Sequence, residues 1–543
     1  MNKPAIVGID LGTTNSCISI MQDSIPTIIE NQEGQRTTPS VVNISGENVI
    51  AGKPAQRRLL TDPKHTIFNV KRLIGRKYAD TEEYTRKLPF DVLEEKDEIQ
   101  IKVDDKRYEP AKISSFVLSK LKSAAESYLN RPVKLAVITV PAYFNHTQRE
   151  ATKKAGELAG LKVLRVLNEP TSAALNHAIT GHIAVYDLGG GTFDISILEK
   201  SDNIFEVKAT AGDSFLGGDD VDNSLTDFLM GKLMDGNELS DEDLKKIRPR
   251  MKKAAESAKK ELSTQESVTI SVPYAYKDTH FMHELGRAEF EDIVAPLIKK
   301  TVKPCLKALK DANIDQVDHL VLVGGMTRMP LVRRLSEEIF KRKPLFTASP
   351  DESVAQGAAI QAAILSGDVN KLLLDVTSLS LGIETVGGLM STIVKRNSTL
   401  PLKKSSVFTT SEDGQEEVIV NIYQGEDENV KNNCFLGKII LKNIKKAPKG
   451  VPRIEVGFEA DVNGIYRVTA RDLLTGKEQS AEVTGIQSKE NEVAEKIQER
   501  MEEKKELVDK NDTKKSSRFF DFVQNLLSNG SQGTVDDKKE EIL

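Results

Sequence analysis

Asp10-Leu-Gly-Thr-Thr-Asn-Ser-Cys-Ile-Ser-Ile20 returns in altered form as Asp187-Leu-Gly-Gly-Gly-Thr-Phe-Asp-Ile-Ser-Ile197. Each copy follows a short apolar run, Ala5-Ile-Val-Gly-Ile9 or Ile183-Ala-Val-Tyr186, and reads as a tight turn leading into a second strand. The aspartate, the first Leu-Gly and the closing Ile-Ser-Ile keep the same spacing in both. One such turn carries little weight. Two predict a duplicated lobe with phosphates held between facing Gly/Thr-rich hairpins, whose successive backbone N–H groups form anion-binding concavities. An aspartate at each strand end supplies hard oxygen for magnesium, through water.

The chain has 543 residues, which predicts two to four domains rather than one core. Hydrophobic residues make up 39% and charged residues 29%, as in ordinary globular proteins. The net charge of −5 is spread along the chain and gives no case for nucleic acid. No apolar run approaches a membrane span. Cys17, Cys305 and Cys434 lie far apart and odd in number, which points to a reducing compartment. All three read as small buried hydrophobes; Cys17, inside the first hairpin, also has a second reading as a reactive thiol. The histidines show no metal-ligand spacing. The first strand begins close to Met1, leaving no room for a presequence, so the expectation is the cytosol or an organelle reached by an internal address.

Strands and helices alternate up to about Leu365, the pattern of an α/β protein. Helical periodicity is clear in Lys112 to Tyr128, Thr147 to Ala159, Met251 to Leu262 and Phe290 to Ala312. Short buried strands are expected at Leu135 to Val140, Ile183 to Asp187 and His319 to Val323. After Gly367 the character changes. The apolar Leu372-Leu-Leu-Asp375 joins a region of two-residue alternation, in which the segments beginning at Glu417, Gly437 and Arg453 read as strands. Asp413-Gly414 and Asn463-Gly464 are hairpin turn signals. This predicts a nucleotide-binding unit over 1–366, a linker over 367–375, a β-sandwich over 376–485, and a short helical segment with a disordered tail over 486–543.

Four further features bear on the site. Val323-Gly-Gly-Met-Thr-Arg328 and the bend from Gly212 to Asp220 are glycine turns that fit either backbone approach to a nucleotide or plain tight turns. Lys71, in Val70-Lys-Arg-Leu-Ile74, suits an orienting role at a γ-phosphate, although a Lys-Arg pair alone is more often solvated surface. Glu169, in Asn168-Glu-Pro-Thr171, is held by Pro170 where it can bind magnesium-bound water, and a helix-entry turn explains it equally well.

Taken in order, Asp-Leu-Gly-Thr-Thr-Asn-Ser, Val-Pro-Ala-Tyr-Phe-Asn, Asn-Glu-Pro-Thr, Asp-Leu-Gly-Gly-Gly-Thr-Phe-Asp, Val-Gly-Gly-x-Thr-Arg and the Leu-Leu-Leu-Asp linker resemble the seventy-kilodalton heat-shock proteins, the DnaK-type chaperones. The similarity runs from about Ala5 to Gly485, and is stronger to the bacterial and mitochondrial branch. It implies an α/β actin-like two-lobed ATPase, an all-β sandwich and a short α-helical tail. Phosphate contacts would fall to Gly12, Thr13, Thr14, Gly189, Gly190, Gly191 and Thr192. Asp10, Glu169 and Asp187 would hold hydrated Mg2+, Lys71 would meet the γ-phosphate, and Asp194 would lie near a monovalent cation such as K+. Gly217, Gly218, Gly324, Gly325, Arg328 and Asp351 would line the nucleotide. Glu256, Lys259 and Ser263 match the adenosine-binding helix, and Lys260 stands where the family often has an arginine stacked on adenine. Pro141, Arg149 and Leu372, Leu373, Leu374 and Asp375 match the interdomain relay. Ile383, Val386, Phe408, Thr409, Ser411, Val418 and Val420 match a groove for extended apolar peptides, with Val386 and Ser411 as its arch.

Two departures stand out. Ser378 replaces a common proline, and the residues after Ile486 are too few for the usual helical lid. The resemblance implies an ATP-dependent chaperone working with a J-domain protein and a GrpE-type nucleotide-exchange factor. Preprotein import and iron–sulfur cluster assembly in a mitochondrion or mitosome-like organelle are its implied tasks, with the bacterial cytoplasm as the alternative. A sugar kinase or filament-forming ATPase on the same lobes is the competing reading of the fold.

Overall fold

The computed structural model describes residues 4–235, 239–276, 278–345, 349–462, 464–482 and 541–542. The tail expected after residue 486 lies outside the described residues except for Glu541–Ile542, which forms a strand rather than a helix. The chain divides into two compact units, residues 1–378 and 379–543.

The first unit contains the predicted duplication. Ile6–Asp10 pairs in parallel with Leu135–Val140 and antiparallel with Asn15–Gln22; Lys162–Asn168 and Ile25–Ile28 add the flanking strands. Gly181–Leu188 likewise pairs in parallel with His319–Val323 and antiparallel with Phe193–Ser201, flanked by Pro344–Leu345 and Ile204–Asp213. The two five-strand orders therefore match strand for strand. Val7 and Ile9 in one half, and Ile183, Ala184, Val185 and Tyr186 in the other, are fully buried. Burial on both faces explains why these central strands read as continuous apolar runs rather than alternating ones.

Helix ends follow their local chemistry. Asn145 caps His146–Leu158 by accepting from Gln148 N, and Gln148 answers from its side chain. Ser240 caps Asp241–Glu261 in the same way with Asp243. The helix expected over Phe290 to Ala312 divides into Arg287–Ile298, a 3-10 turn Lys299–Thr301 and Val302–Ala312. Pro304 has no N–H to return to the carbonyl four residues earlier, and the ladder tightens there.

Leu372–Leu374, read as a connector, is a sixth strand of the second sheet. It pairs in parallel with Ile204–Asp213, Leu372 N donates to Asn203 O (2.9 Å), and Leu373 is buried.

The second unit is a β-sandwich. One sheet runs Leu389–Val394, Leu381–Thr385, Glu417–Gln424, Cys434–Lys442; the other runs Glu478–Glu482, Tyr466–Asp472, Ile454–Ala460, Leu402–Thr409, Glu541–Ile542. The alternation of the sequence is its mechanism: Val418, Val420 and Ile422 turn into the core while Glu417 and Ile419 face outward.

Candidate nucleotide site

The two glycine hairpins face each other. A Cβ built on Gly190 would lie 2.0 Å from Thr14 Oγ1, and one on Gly191 would lie 2.4 Å from Thr13 Cγ2. Only glycine permits that approach. The first turn is braced from behind, because Ser40 donates its hydroxyl to Gly12 O (2.7 Å) and its N–H to Thr14 O (2.8 Å). The second closes on itself through Gly189 N to Thr192 O (3.1 Å). The 212–220 bend docks backbone to backbone beneath it: Gly218 N donates to Gly189 O (3.0 Å) and Asp219 N to Gly190 O (2.8 Å). Gly324 has a φ of 84° and lies against Leu188 O, so the third glycine turn also packs on the second hairpin. The structure thus brings Gly12, Thr13, Thr14, Gly189 to Thr192, Gly217, Gly218 and Gly324 into one neighbourhood.

Charged groups converge there. Lys71, read alone as a surface candidate, is buried and pairs with Glu169, itself buried at the start of the helix Glu169–Leu175. Burial alone would lower the Lys71 ammonium, but the carboxylates of Glu169 and Asp10 more than offset it and hold its pKa above the usual value. Asp10 accepts from Thr139 Oγ1 (3.2 Å); burial and the Glu169 charge push its carboxyl up to about 7. Burial, then Glu169, pushes Asp194 up to about 7 as well, against the N–H that Tyr143 donates to it (3.0 Å). Asp187 is also raised, by burial and by Glu169, Asp194 and Asp10. Four carboxylates thus crowd around one ammonium, a cluster with negative charge to spare.

That excess is the test of a cation here, and the donor set fits. The oxygens are hard, and among the described residues no three acidic, histidine or cysteine side chains close on one point as direct ligands. Hard carboxylate oxygens are the donors that magnesium takes.

The adenosine candidates are partly engaged with one another. Lys259 is buried, donating to Asp222 Oδ2 (2.8 Å) and Gly218 O (3.2 Å). Glu256 pairs with the exposed Lys260 (2.5 Å), and the Ser263 hydroxyl turns back to Lys259 O (3.2 Å). Burial would raise the Glu256 carboxyl, but the bond and charge of Lys260 outweigh it and lower the pKa. Arg328 pairs with Asp351 (2.7 Å) on the exposed side, and Asp351 also lies beside Gly325.

Several participants carried no signal in the sequence. Arg72 is buried and pairs across the cleft with the half-buried Asp219 and Asp220, and Asn168 joins two candidate regions. Arg149 donates to Phe144 O (3.2 Å), Ala142 O (3.3 Å) and Asn168 Oδ1 (2.5 Å), so it holds the turn that follows Pro141. Asn168 in turn donates to Asp375 Oδ1 (2.8 Å), and Ser378 donates to Phe144 O (3.1 Å). Arg149 and Asp375, expected to serve relay and linker, therefore meet through Asn168. Cys17 is buried, donates to Arg36 O (3.2 Å), and has its thiol pushed well up by burial and by Asp10, which disfavours the reactive reading. Cys305 is buried as expected, whereas Cys434 is half-buried.

In the second unit the groove candidates separate. Ile383, Phe408, Val418 and Val420 lie in the sandwich core, the other reading open to such residues. Val386 is exposed, Ser411 is half-buried and Thr409 is buried. The backbone of Glu541–Ile542 pairs in parallel with Phe408–Thr409, so an extended segment adds to the strand carrying two groove candidates.

A sequence profile described as "Hsp70 protein" matches residues 6–541. The chain is 52% identical to the "Mitochondrial-type heat shock protein 70" of Encephalitozoon cuniculi (strain GB-M1), over 88% of this chain and 83% of that one. It is also 52% identical to the protein of the same name from Encephalitozoon hellem, over 90% and 86%. With a duplicated lobe, facing phosphate hairpins and a following sandwich, the chain belongs to the Hsp70 family of chaperones, ATPases that bind ATP with magnesium.

Proposed function

We propose that this protein hydrolyses ATP in the cleft between its two hairpins and uses the cycle to open and close a peptide groove in the sandwich. The observation that carries the reading is the apposition of Thr13 and Thr14 with Gly190 and Gly191, beside Lys71 and Glu169. Gly12 to Thr14 and Gly189 to Thr192 supply N–H and hydroxyl donors to the phosphates. Asp10, Glu169 and Asp187 would hold magnesium, which would neutralise phosphate charge when bound. Lys71 orients the attacking water and offsets γ-phosphate charge, and Asp194 would help hold a K+ ion. Glu256, Lys259, Lys260 and Ser263 receive ribose and base, with Arg328 opposite. Phosphoryl transfer asks little covalent chemistry of a protein, so placement and electrostatics are the whole task.

The working parts are an ATPase domain over 1–366, a coupling linker over 367–375 and a peptide-binding domain over 376–485. The relay runs from Pro141 and Arg149 to Leu372, Leu373, Leu374 and Asp375. Ile383, Phe408, Thr409, Val418 and Val420, buried in the closed sandwich, line the groove once it opens, and Val386 and Ser411 form its arch. Clients are extended apolar segments, for which an edge strand offers backbone hydrogen bonds and side-chain pockets. A J-domain protein speeds hydrolysis and a GrpE-type factor resets the cycle. The mitochondrion or a mitosome-like organelle is its place, with protein import and iron–sulfur cluster assembly as its tasks. Release of a fluorescent apolar peptide tests the coupling: ATP addition should speed release, and an unchanged rate would refute it.

A further inference from the structure

Arg72 is among the largest side chains wholly buried in the protein, on the turn that also carries Lys71. From the first half of the ATPase unit it reaches into the second. Its Nε and one terminal nitrogen donate to Gly191 O (3.0 and 2.8 Å), and its fork also engages both carboxylate oxygens of Asp220. Asp219 Oδ2 stands 3.6 Å away, and the other oxygen of that carboxylate, Oδ1, is tied to Lys252 (2.6 Å). The guanidinium lies 5.2 Å from the Tyr84 ring centre and 5.8 Å from that of Phe215, an aromatic from each half. A cation with no contact with solvent has been placed where all its partners but Tyr84 belong to the opposite half.

We infer that Arg72 is a positioning residue that latches the two halves around bound nucleotide. Two consequences follow from the geometry. Gly191 C=O and Thr192 N–H point in opposite directions across one planar peptide. Fixing that carbonyl toward Arg72 therefore fixes the direction in which Thr192 offers its N–H. Asp220 also accepts from Gly217 N (2.8 Å), so the same fork steadies the bend beneath the second hairpin. Opening the cleft to release ADP must break these bonds or drag the Lys71 turn with them. The latch is therefore closed for hydrolysis and open for exchange. The inference rests on nucleotide occupying the cleft as proposed above.

Arg72→Met, Arg72→Lys and Asp220→Asn test it, the last two preserving packing should the first fail to fold. A lysine keeps the charge but cannot supply the fork. The readouts are release of a fluorescent ADP on chase, single-turnover hydrolysis at saturating ATP, and thermal unfolding. Loss of a charge-assisted bond predicts ADP release roughly tenfold faster and single-turnover hydrolysis slower by a similar factor, with Arg72→Lys intermediate. Wild-type release and hydrolysis rates in a cooperatively folded variant would overturn the latch, as would a lowered melting temperature alone. Should the unaltered protein hold no nucleotide, the proposed site itself falls, a result distinct from normal binding with unaltered release in the variants.

Discussion

Gly190→Ala isolates the claim that the hairpins face each other across the nucleotide. Its φ lies outside the left-handed region, so alanine brings no backbone strain and the effect is steric. The new Cβ would stand 2.0 Å from Thr14 Oγ1 and 2.9 Å from Thr14 Cβ, whereas ordinary contact begins at 3.4 Å. Rotating the Thr14 hydroxyl away relieves the first clash but not the second. The turns must then part from 2.9 to 3.4 Å, and further if the hydroxyl stays. Overpacking of this kind costs about 1–3 kcal/mol. Charged with that cost, the closed, nucleotide-bound cleft should bind ATP roughly 5- to 150-fold more weakly. Calorimetric titration with ATP and magnesium measures it directly. Thr14→Gly removes the clashing atoms, so the alanine should cost much less in that background, although the two residues lie far apart in sequence. Equal costs in both backgrounds, or wild-type affinity for Gly190→Ala, would refute the facing arrangement.

Lys71→Ala should lower hydrolysis at least about a hundredfold while leaving ATP affinity within a few-fold, since a charge used at the transition state affects the rate more than binding; phosphate release under saturating ATP checks it, and normal turnover would remove Lys71 from the mechanism. Asp10 and Asp194 are pushed up to about 7, whereas in the unfolded chain such groups ionise near 3.8. Between those values the folded state holds protons that the unfolded state has lost, so stability should fall as pH rises from about 4 to 7. Magnesium-nucleotide favours the carboxylate form, so binding at about pH 6.5 should expel protons, seen as unequal calorimetric enthalpies in buffers of different ionisation heat; equal enthalpies would sink the idea. Asn168→Ala should spare basal hydrolysis yet blunt ATP-triggered peptide release, because it removes the bridge between Arg149 and Asp375; fully retained release would show that the bridge carries no signal. Cys17 should react with iodoacetamide at least about tenfold more slowly than Cys434 in the folded protein, and mass spectrometry of tryptic peptides decides it.

The strand order of the ATPase unit was legible because duplication writes itself twice. The spacing from Asp10 to Ile20 and from Asp187 to Ile197 predicted two hairpins, and each lies between a parallel neighbour and an antiparallel one. Buried strands could be read from apolar runs, and the long helices from their period. What escaped reading has one cause. Burial of a charged side chain depends on partners far away in sequence, and Arg72 meets Gly191 and Asp220 across more than a hundred residues. Locally, Lys71-Arg72 looks like any solvated basic pair. Asn168 was visible only as the residue before Glu169, since its partners Arg149 and Asp375 flank it at distances no local pattern encodes. The groove residues show the reverse limit: alternation places Ile383, Val418 and Val420 on an inward face but does not distinguish a core from a peptide site.

The two halves differ at one place that bears on control. Their five-strand orders match, but on the outer edge of the second sheet Ile204–Asp213 gains Leu372–Leu374 as a parallel neighbour. Ile25–Ile28, its counterpart in the first half, carries no such strand among the described residues. A three-residue edge strand makes few ladder hydrogen bonds, so its addition and loss cost far less than rearranging the core around it. Just beyond it, Asp375 accepts from Asn168, the N-cap position of the helix that presents Glu169 to Lys71. Movement of the short strand therefore cannot leave the Glu169–Lys71 pair untouched without first breaking the Asn168 bond. A duplicated fold that gripped phosphate symmetrically would have no direction in which to report what it held; under the proposed function the added strand would supply one. Replacing Leu373, the buried residue of that strand, with aspartate should release the edge and uncouple ATP binding from peptide release, while the hairpins still hold nucleotide. If Leu373→Asp retains ATP-driven release, the signal leaves the cleft by another route.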